Sequence, residues 1–350
     1  MVRRVTFAVP GDLSTPTGGY VYDRRVVAEL SALGWQVDIA NLGDGFPRPS
    51  VAERATAHLQ LAAVPQGRVI VVDGLAFGVM PEAAEELNQT HRLVALVHHP
   101  LAFETGLPER EAAKFRASER LALSFARRVI TTSATTARLL MQTFAVPQDI
   151  LRVVLPGNDR VAPADRAAGA VVNLLAVGSI VPRKGYDVLV SALGKIADLP
   201  WRLVIAADRS RSPSTVRALE AQIAELRLAD RVELIGAVSS DRLAALYAAA
   251  DLFVLPSRYE GYGMAYTEAI AHGLPVVGTT AGAIPEAVPP GAGVLVPPDN
   301  VGELTLTLMR LIGNPAERLR LTAGARAAAA TLPTWADSGR AFSQALDEIA

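Results

Sequence analysis

The sequence predicts an α/β fold built as two domains, each a parallel sheet covered by helices. Three observations carry that expectation. Short apolar runs alternate with amphipathic helical patterns from end to end, the pattern of a parallel sheet buried on both faces. A stretch rich in proline, glycine and alanine, Pro156 to Ala170, interrupts the alternation near the middle. The chain has 350 residues, enough for two domains of ordinary size.

In the first series, Val5–Val9, Gln36–Ile39, Val69–Val72, Leu93–Val97, Val129–Thr131 and Arg152–Leu155 read as strands. The first of these follows Met1 so closely, and stops so soon at Pro10-Gly11-Asp12, that it reads as a strand and not as a signal peptide. After the interruption come Val171–Val177, Leu203–Ala206, Val232–Ile235, Leu252–Leu255 and Pro275–Val277. Three helical patterns close the chain: Asn300–Ile312, Pro315–Ala330 and Trp335–Ile349, with Asn314-Pro315 and Pro333-Thr334 as breaks. No apolar run approaches the ~20 residues of a membrane span.

Composition excludes several functions. Net charge is −1, so no global field attracts nucleic acid. There is no cysteine, which removes disulfides, thiol catalysis and thiolate metal sites and fits a cytoplasmic protein. The chain holds 31 arginines but three lysines, Lys114, Lys184 and Lys195, so each lysine stands out.

Ligands of open parallel sheets bind beyond the carboxyl ends of the strands. In Val177-Gly178-Ser-Ile-Val-Pro-Arg183-Lys184-Gly-Tyr-Asp187, two cations precede an expected helix start near Tyr186. A helix N-terminus favours anions, so helix stability alone does not select cations there; a phosphate or diphosphate ligand reconciles the two. A solvated basic turn is the competing reading. In Leu255-Pro-Ser-Arg-Tyr-Glu260-Gly-Tyr-Gly-Met-Ala-Tyr-Thr-Glu268, two glycines open a loop before a helix from about Met264 to His272. Such glycines let amides approach a ligand, with Glu260 in the loop and Glu268 inside the helix. Gly18 and Gly19 precede the first helix and suit an anion, a sugar or a plain turn. His98 and His99 end the fourth strand, and adjacent residues of an extended chain face opposite sides. They therefore make a poor metal pair even beside Glu104, and no metal site is expected. No Gly-x-Gly-x-x-Gly follows the first strand, no Walker loop occurs, and no Asp-x-Asp offers a metal–diphosphate clamp.

Taken together, these segments resemble the family 4 retaining glycosyltransferases, whose architecture is two Rossmann-like domains facing across a cleft (GT-B). The resemblance runs over nearly the whole chain. It includes Glu268-Ala-Ile-Ala-His-Gly-Leu-Pro-Val-Val277 and Gly282-Ala-Ile-Pro-Glu286. It implies an N-terminal acceptor-side domain, residues 1–157, completed by a C-terminal helix at 335–350 that crosses back. A donor domain at 158–334 would hold the nucleotide sugar. By resemblance Arg183 and Lys184 hold the donor diphosphate. Gly18, Gly19, Gly178, Glu260, Gly261, Tyr262, Gly263 and Met264 approach the donor sugar and phosphates. Glu268 binds ribose, and the base lies against backbone near Ile235–Val238. His99 rather than His98 lines the reaction centre. Asp208-Arg-Ser-Arg-Ser-Pro213 departs from the glycine-rich turn of many relatives.

The resemblance further implies transfer from a UDP- or GDP-sugar with retained configuration, without metal or cofactor. The acceptor is a sugar, a lipid or another small molecule. A sugar-nucleotide epimerase and a non-catalytic sugar-nucleotide binder are the alternatives. Glu109–Arg128, a helical stretch with six cations and three acids, reads as a solvated face or as a weak contact with the inner membrane surface.

Overall fold

A computed structural model describes residues 3–15, 17–162 and 169–349. Residues 163–168, the latter part of the expected linker, and Pro16, in the turn before Gly18, lie outside the described residues. The chain divides into two compact units: residues 1–157 with 333–350, and residues 158–332.

Unit 1 contains β1 (Arg4–Val9), α1 (Gly18–Ala32), β2 (Gln36–Asn41), α2 (Val51–Ala62), β3 (Val69–Asp73), α3 (Gly74–Phe77), α4 (Pro81–Leu87), β4 (Arg92–Val97), α5 (Glu109–Ser124), β5 (Arg128–Thr131), α6 (Ala134–Phe144) and β6 (Leu151–Val153). Its strands form one parallel sheet ordered β2-β1-β3-β4-β5-β6. Every residue of β3 is buried, as is all of β4 except Arg92, as expected of strands covered on both faces.

Unit 2 contains β7 (Val172–Val177), α7 (Tyr186–Gly194), β8 (Trp201–Ala206), α8 (Pro213–Glu225), β9 (Val232–Ile235), α9 (Ser240–Ala249), β10 (Leu252–Val254), α10 (Met264–Ala271), β11 (Val276–Thr279), α11 (Ile284–Ala287), β12 (Gly293–Val296), α12 (Val301–Gly313) and α13 (Pro315–Ala329). Its parallel sheet is ordered β12-β11-β10-β7-β8-β9, the order of a doubly wound dinucleotide-binding sheet. β12 is the one strand without a counterpart in the sequence reading. It is a four-residue edge strand between Pro289-Pro290 and Pro297-Pro298, too short for alternation to register.

The C-terminal helix α14 (Trp335–Asp347) returns to unit 1 and packs on α1. Gly339 permits that approach, because a Cβ there would lie 2.3 Å from Glu29 Cβ. Phe342 meets Phe7 with ring centroids 6.1 Å apart, and Trp35 Nε1 donates to Ser343 Oγ at 2.9 Å. The helix is started by a reciprocal cap between Thr334 and Asp337. Burial of Phe342, Leu346 and Trp335 thus makes the last helix part of the first core.

Candidate active site

In unit 2 the strand order reverses between β7 and β10: the chain runs outward to β8 from one and to β11 from the other. The loops that follow these two strands therefore flank a crevice at the switch point. One loop carries Arg183 and Lys184, and the other carries Glu260.

The first loop closes with a 3-10 turn, Pro182–Lys184, and then Gly185 at φ +68°. A Cβ on Gly185 would fall 2.2 Å from Pro256 O, so glycine is required by both conformation and space. Gly178, at φ +145°, leaves room for the Lys184 side chain; a Cβ there would sit 3.2 Å from Lys184 Cε. In the second loop Glu260 is anchored through its backbone. Its carbonyl accepts from Ala283 N at 3.0 Å. Gly282, at φ +54°, lets that turn close, since a Cβ there would meet Glu260 O at 2.4 Å.

The two loops lock through Glu260, which is buried. Lys184 Nζ donates to Glu260 Oε1 at 2.7 Å and Arg183 Nη1 to Oε2 at 2.9 Å. Ser257 Oγ donates to Oε1 at 2.7 Å, and Arg183 Nη1 also reaches Tyr259 O at 2.8 Å. Burial would push the Glu260 carboxyl up, but the Lys184 and Arg183 charges and the hydrogen bonds overcome it and hold the group at about 2. Burial lowers the Lys184 ammonium from its usual range, although Glu260 opposes the shift. Two half-buried cations share the buried carboxylate of Glu260, so these three side chains together carry one net positive charge, and the Glu268 charge also reaches Lys184. Beside it Gly263, at φ +103°, starts α10 with Gly261, Tyr262 and Met264 around the helix's first turn. The start of α10 and this pair of cations together favour a polyanion.

Glu268 lies one turn further along α10, half-buried, and accepts from Tyr247 OH at 3.1 Å. His272 stacks on Tyr247 with ring centroids 4.7 Å apart. Val238 is not brought to this cluster directly. It follows β9, the edge strand two positions from β7, and is half-buried just before α9. The departing loop Asp208–Pro213 is tied to the first loop, because Ile180 N donates to Asp208 O at 2.9 Å.

Sequence reasoning gave no role to Arg258, and the structure shows it bracing the cation turn. Its backbone N donates to Arg183 O at 2.7 Å and its guanidinium also donates to Pro182 O. The same guanidinium grips Asp187 at 2.7 and 3.0 Å and Asp299 at 2.7 Å. An arginine inside Pro-Ser-Arg-Tyr-Glu is indistinguishable in sequence from a solvated one. The adjacency of the two loops is what reveals it.

In unit 1, Gly18 and Gly19 form the first turn of α1, capped by Thr17. A Cβ on Gly19 would lie 3.3 Å from His98 Cδ2, so the glycine makes space for that ring. The His98 ring also meets Tyr22 edge-on. His98 Nε2 lies 2.9 Å from Asp23 Oδ1 and 3.8 Å from Asp73 Oδ2. Both carboxylates are buried, and Asp73 Oδ1 accepts from Leu75 N at 2.7 Å. Burial first, and then the Asp23 charge, push Asp73 up to about 7, while His98 is raised by the two acids against the opposing effect of its burial. Neither aspartate was singled out in the sequence. Together with His98 they are the one group with metal-ligand spacing among the described residues.

His99 points elsewhere, with Nε2 3.8 Å from Glu104 Oε2 and its side chain half-buried. The two histidines thus diverge as an extended chain requires. The turn after them is fixed by Glu119 of α5, whose two oxygens accept from Leu101 N at 2.7 Å and Ala102 N at 3.0 Å. Burial pushes Glu119 up to about 7 against those two hydrogen bonds.

Comparison with known proteins bears on what this arrangement does. Residues 172–314 match the family described as glycosyl transferases group 1. The MMP α-(1→4)-mannosyltransferase of Mycolicibacterium hassiacum is 31% identical over 313 residues, 83% of this chain and 73% of that protein. The chain spans about half the length of several other curated relatives it matches. Among solved structures, sucrose-phosphate synthase from Thermosynechococcus elongatus is similar with a TM-score of 0.84 and 22% identity, covering 99% of each chain. Anabaena HepE in complex with UDP-glucose is similar with a TM-score of 0.78 and 19% identity, covering 98% of this chain and 99% of that one. These structural likenesses concern the fold, which is that of the GT-B glycosyltransferases.

Proposed function

This chain belongs to the group 1 glycosyl transferases, and from that premise we propose that it transfers a hexosyl group from a UDP- or GDP-sugar to an acceptor hydroxyl, with retained anomeric configuration and without a metal ion. The observation that carries the reading is the Arg183–Glu260–Lys184 set, centred on a buried carboxylate, at the switch point of unit 2. Its surplus positive charge and the adjoining amides of α10 suit a diphosphate. Glu260 holds both cations in place before any ligand arrives, so little reorganisation is needed when charge develops.

In this reading the bond from the sugar's anomeric carbon to the diphosphate breaks with both electrons passing to the phosphate oxygen. Lys184, Arg183 and the helix amides meet that charge. The acceptor oxygen bonds to the same face of the anomeric carbon, and its proton passes to the departing phosphate oxygen. Glu268 takes the ribose hydroxyls, and the base rests near Ile235–Val238. His99 stands beside the transferred sugar, on a turn that Glu119 keeps rigid. The fixed cations supply the charge stabilisation for which other transferases use a metal. Support for a uridine or guanosine donor comes from the UDP-glucose held by the structurally similar HepE and from the GDP-mannose dependence of a related mannosyltransferase of Corynebacterium glutamicum.

The test is a panel of UDP- and GDP-sugars with candidate acceptors in excess EDTA, read by mass spectrometry and by NMR of the product's anomeric carbon. The expected result is an acceptor heavier by one hexosyl unit, with the donor's configuration kept. Activity appearing only after a divalent ion is added, or an inverted product, would overturn the corresponding part of the mechanism.

A further inference from the structure

The helix α9 follows closely on Ile235–Val238, the segment assigned to the base. Its residues are exposed or half-buried with one exception, Tyr247. That ring anchors the helix to the sheet, with its centroid 6.2 Å from that of Phe253 in β10. An anchor needs only an apolar ring, which phenylalanine would supply. A phenol adds a hydroxyl, and burying that group costs stability unless it is hydrogen-bonded. Here it donates to Glu268 Oε2 at 3.1 Å.

The bond is held from a second side. His272, which caps the end of α10, stacks on the Tyr247 ring with the two planes 21° apart. Its Nδ1 lies 2.9 Å from Glu268 O, and a carbonyl only accepts, so Nδ1 carries the proton. Tyr247 thus meets the Glu268 carboxylate, while the ring stacked on it meets the Glu268 carbonyl. Burial, and then the Glu268 charge, raise the Tyr247 phenol well above its usual range, so the hydroxyl remains a donor. Glu268 itself belongs with the cation loop, because its charge acts on Lys184.

A glutamate has several rotatable bonds, and ordering a loose one on a ligand weakens binding. A carboxylate oriented beforehand avoids that cost. It also keeps acceptor capacity for the ligand, since an ionised carboxylate offers about four lone-pair sites and Tyr247 uses one. We propose that Tyr247 is a positioning residue for the nucleotide: its hydroxyl fixes the Glu268 carboxylate to receive the ribose hydroxyls, and so sets a preference for ribonucleotides over deoxyribonucleotides. The inference rests on the glycosyltransferase reading, in which Glu268 takes the ribose, and names the residue that prepares it.

The experiment titrates UDP, GDP and their 2′,3′-dideoxy counterparts calorimetrically into the wild type, Tyr247→Phe, Glu268→Ala and the double variant. Unfolding curves confirm that each protein is folded. Tyr247→Phe keeps the ring and its stack on His272 and deletes only the hydroxyl. We expect the wild type to bind UDP or GDP more tightly than the matching dideoxy form. Tyr247→Phe should weaken the ribonucleotide about threefold to tenfold and leave the dideoxy form unchanged, so the preference falls by that factor. Glu268→Ala should abolish the preference, and adding Tyr247→Phe to it should change nothing further. A tyrosine that serves only the core would weaken both forms alike, or neither. Either result in folded Tyr247→Phe would overturn the positioning role, while a preference lost in Glu268→Ala would leave the ribose assignment standing. Should Tyr247→Phe not fold, His272→Ala withdraws the stacked ring and carries the same expectation; an undiminished preference there would overturn the proposal. A wild type that binds ribo and dideoxy forms equally would remove the ribose role of Glu268 and the proposal with it, but not the diphosphate site. Binding of neither UDP nor GDP would overturn the donor reading as a whole.

Discussion

The two sheets of this protein reverse direction in the same manner yet place opposite chemistry at the reversal. In unit 2, Arg183 and Lys184 converge on one buried carboxylate, Glu260. In unit 1, two buried carboxylates, Asp23 and Asp73, converge on His98. Glu260 is held at about 2, whereas Asp73 is pushed up to about 7. Both are buried, so desolvation does not separate them; the ratio of cations to acids does. A surplus of cations keeps Glu260 a permanent carboxylate. A surplus of acids is met by retaining protons, which suits a structural clamp behind the Gly18-Gly19 turn.

Removing the central acid should break the first arrangement hardest. Glu260→Ala leaves Arg183 and Lys184 facing each other without their shared partner, and loss of one partner from a buried ion pair costs about 3–5 kcal/mol. Denaturant unfolding should show that loss, with Glu260→Gln intermediate because it keeps a hydrogen-bonding shape without the charge. Unchanged stability in Glu260→Ala would mean that the cations do not depend on it.

The second arrangement should reveal itself through pH. Asp73 and Glu119 rise from ordinary values of 3.8 and 4.5 to about 7, and His98 rises above 6.5. In each case the folded state keeps a proton that the unfolded chain releases more readily. Stability therefore falls as pH rises, between about pH 4 and 7 for the acids and from near 6.5 upward for His98. Glu260 has the opposite sign: its contribution is fully present above 4.5 and disappears only as pH falls toward 2. Asp73→Asn, which keeps an acceptor for Leu75 N, should flatten the loss by roughly 1 kcal/mol per pH unit. Unfolding curves across that range that superimpose for the two proteins would refute the proton-retaining cluster.

A smaller effect is expected beside the first cluster. Tyr247→Phe removes the hydroxyl that donates to Glu268 at 3.1 Å, and should cost about 1 kcal/mol in thermal unfolding while preserving the His272 stack. A change near zero would show that Glu268 does not rely on this donor.

The contrast also explains what could be read before the structure. Arg183, Lys184 and Glu260 stand in loops punctuated by Pro182, Gly185, Gly261 and Gly263, at strand ends that the apolar runs already mark. Their backbone requirements are local and therefore visible in sequence. Asp23 lies within Tyr-Asp-Arg-Arg of α1 and Glu119 within a helix of alternating charges, where each resembles a solvated residue. Asp73 reads only as the end of an apolar run. Their burial is created by contacts between separate segments, 23 with 98 and 119 with 101, which no local pattern records. Arg258 escaped notice for the same reason, and β12 because a short edge strand carries too few residues to show a period.

The central claim is that the cation surplus of unit 2, and not the acid cluster of unit 1, receives the nucleotide diphosphate. Calorimetric titration of UDP and GDP into the wild type, Lys184→Ala and His98→Ala tests it most directly, with thermal unfolding to confirm that each protein is folded. The account predicts that one of the two nucleotides binds the wild type, that Lys184→Ala weakens it by about tenfold to a hundredfold, and that His98→Ala leaves it unchanged. A folded Lys184→Ala protein that binds the nucleotide as tightly as the wild type would contradict the account.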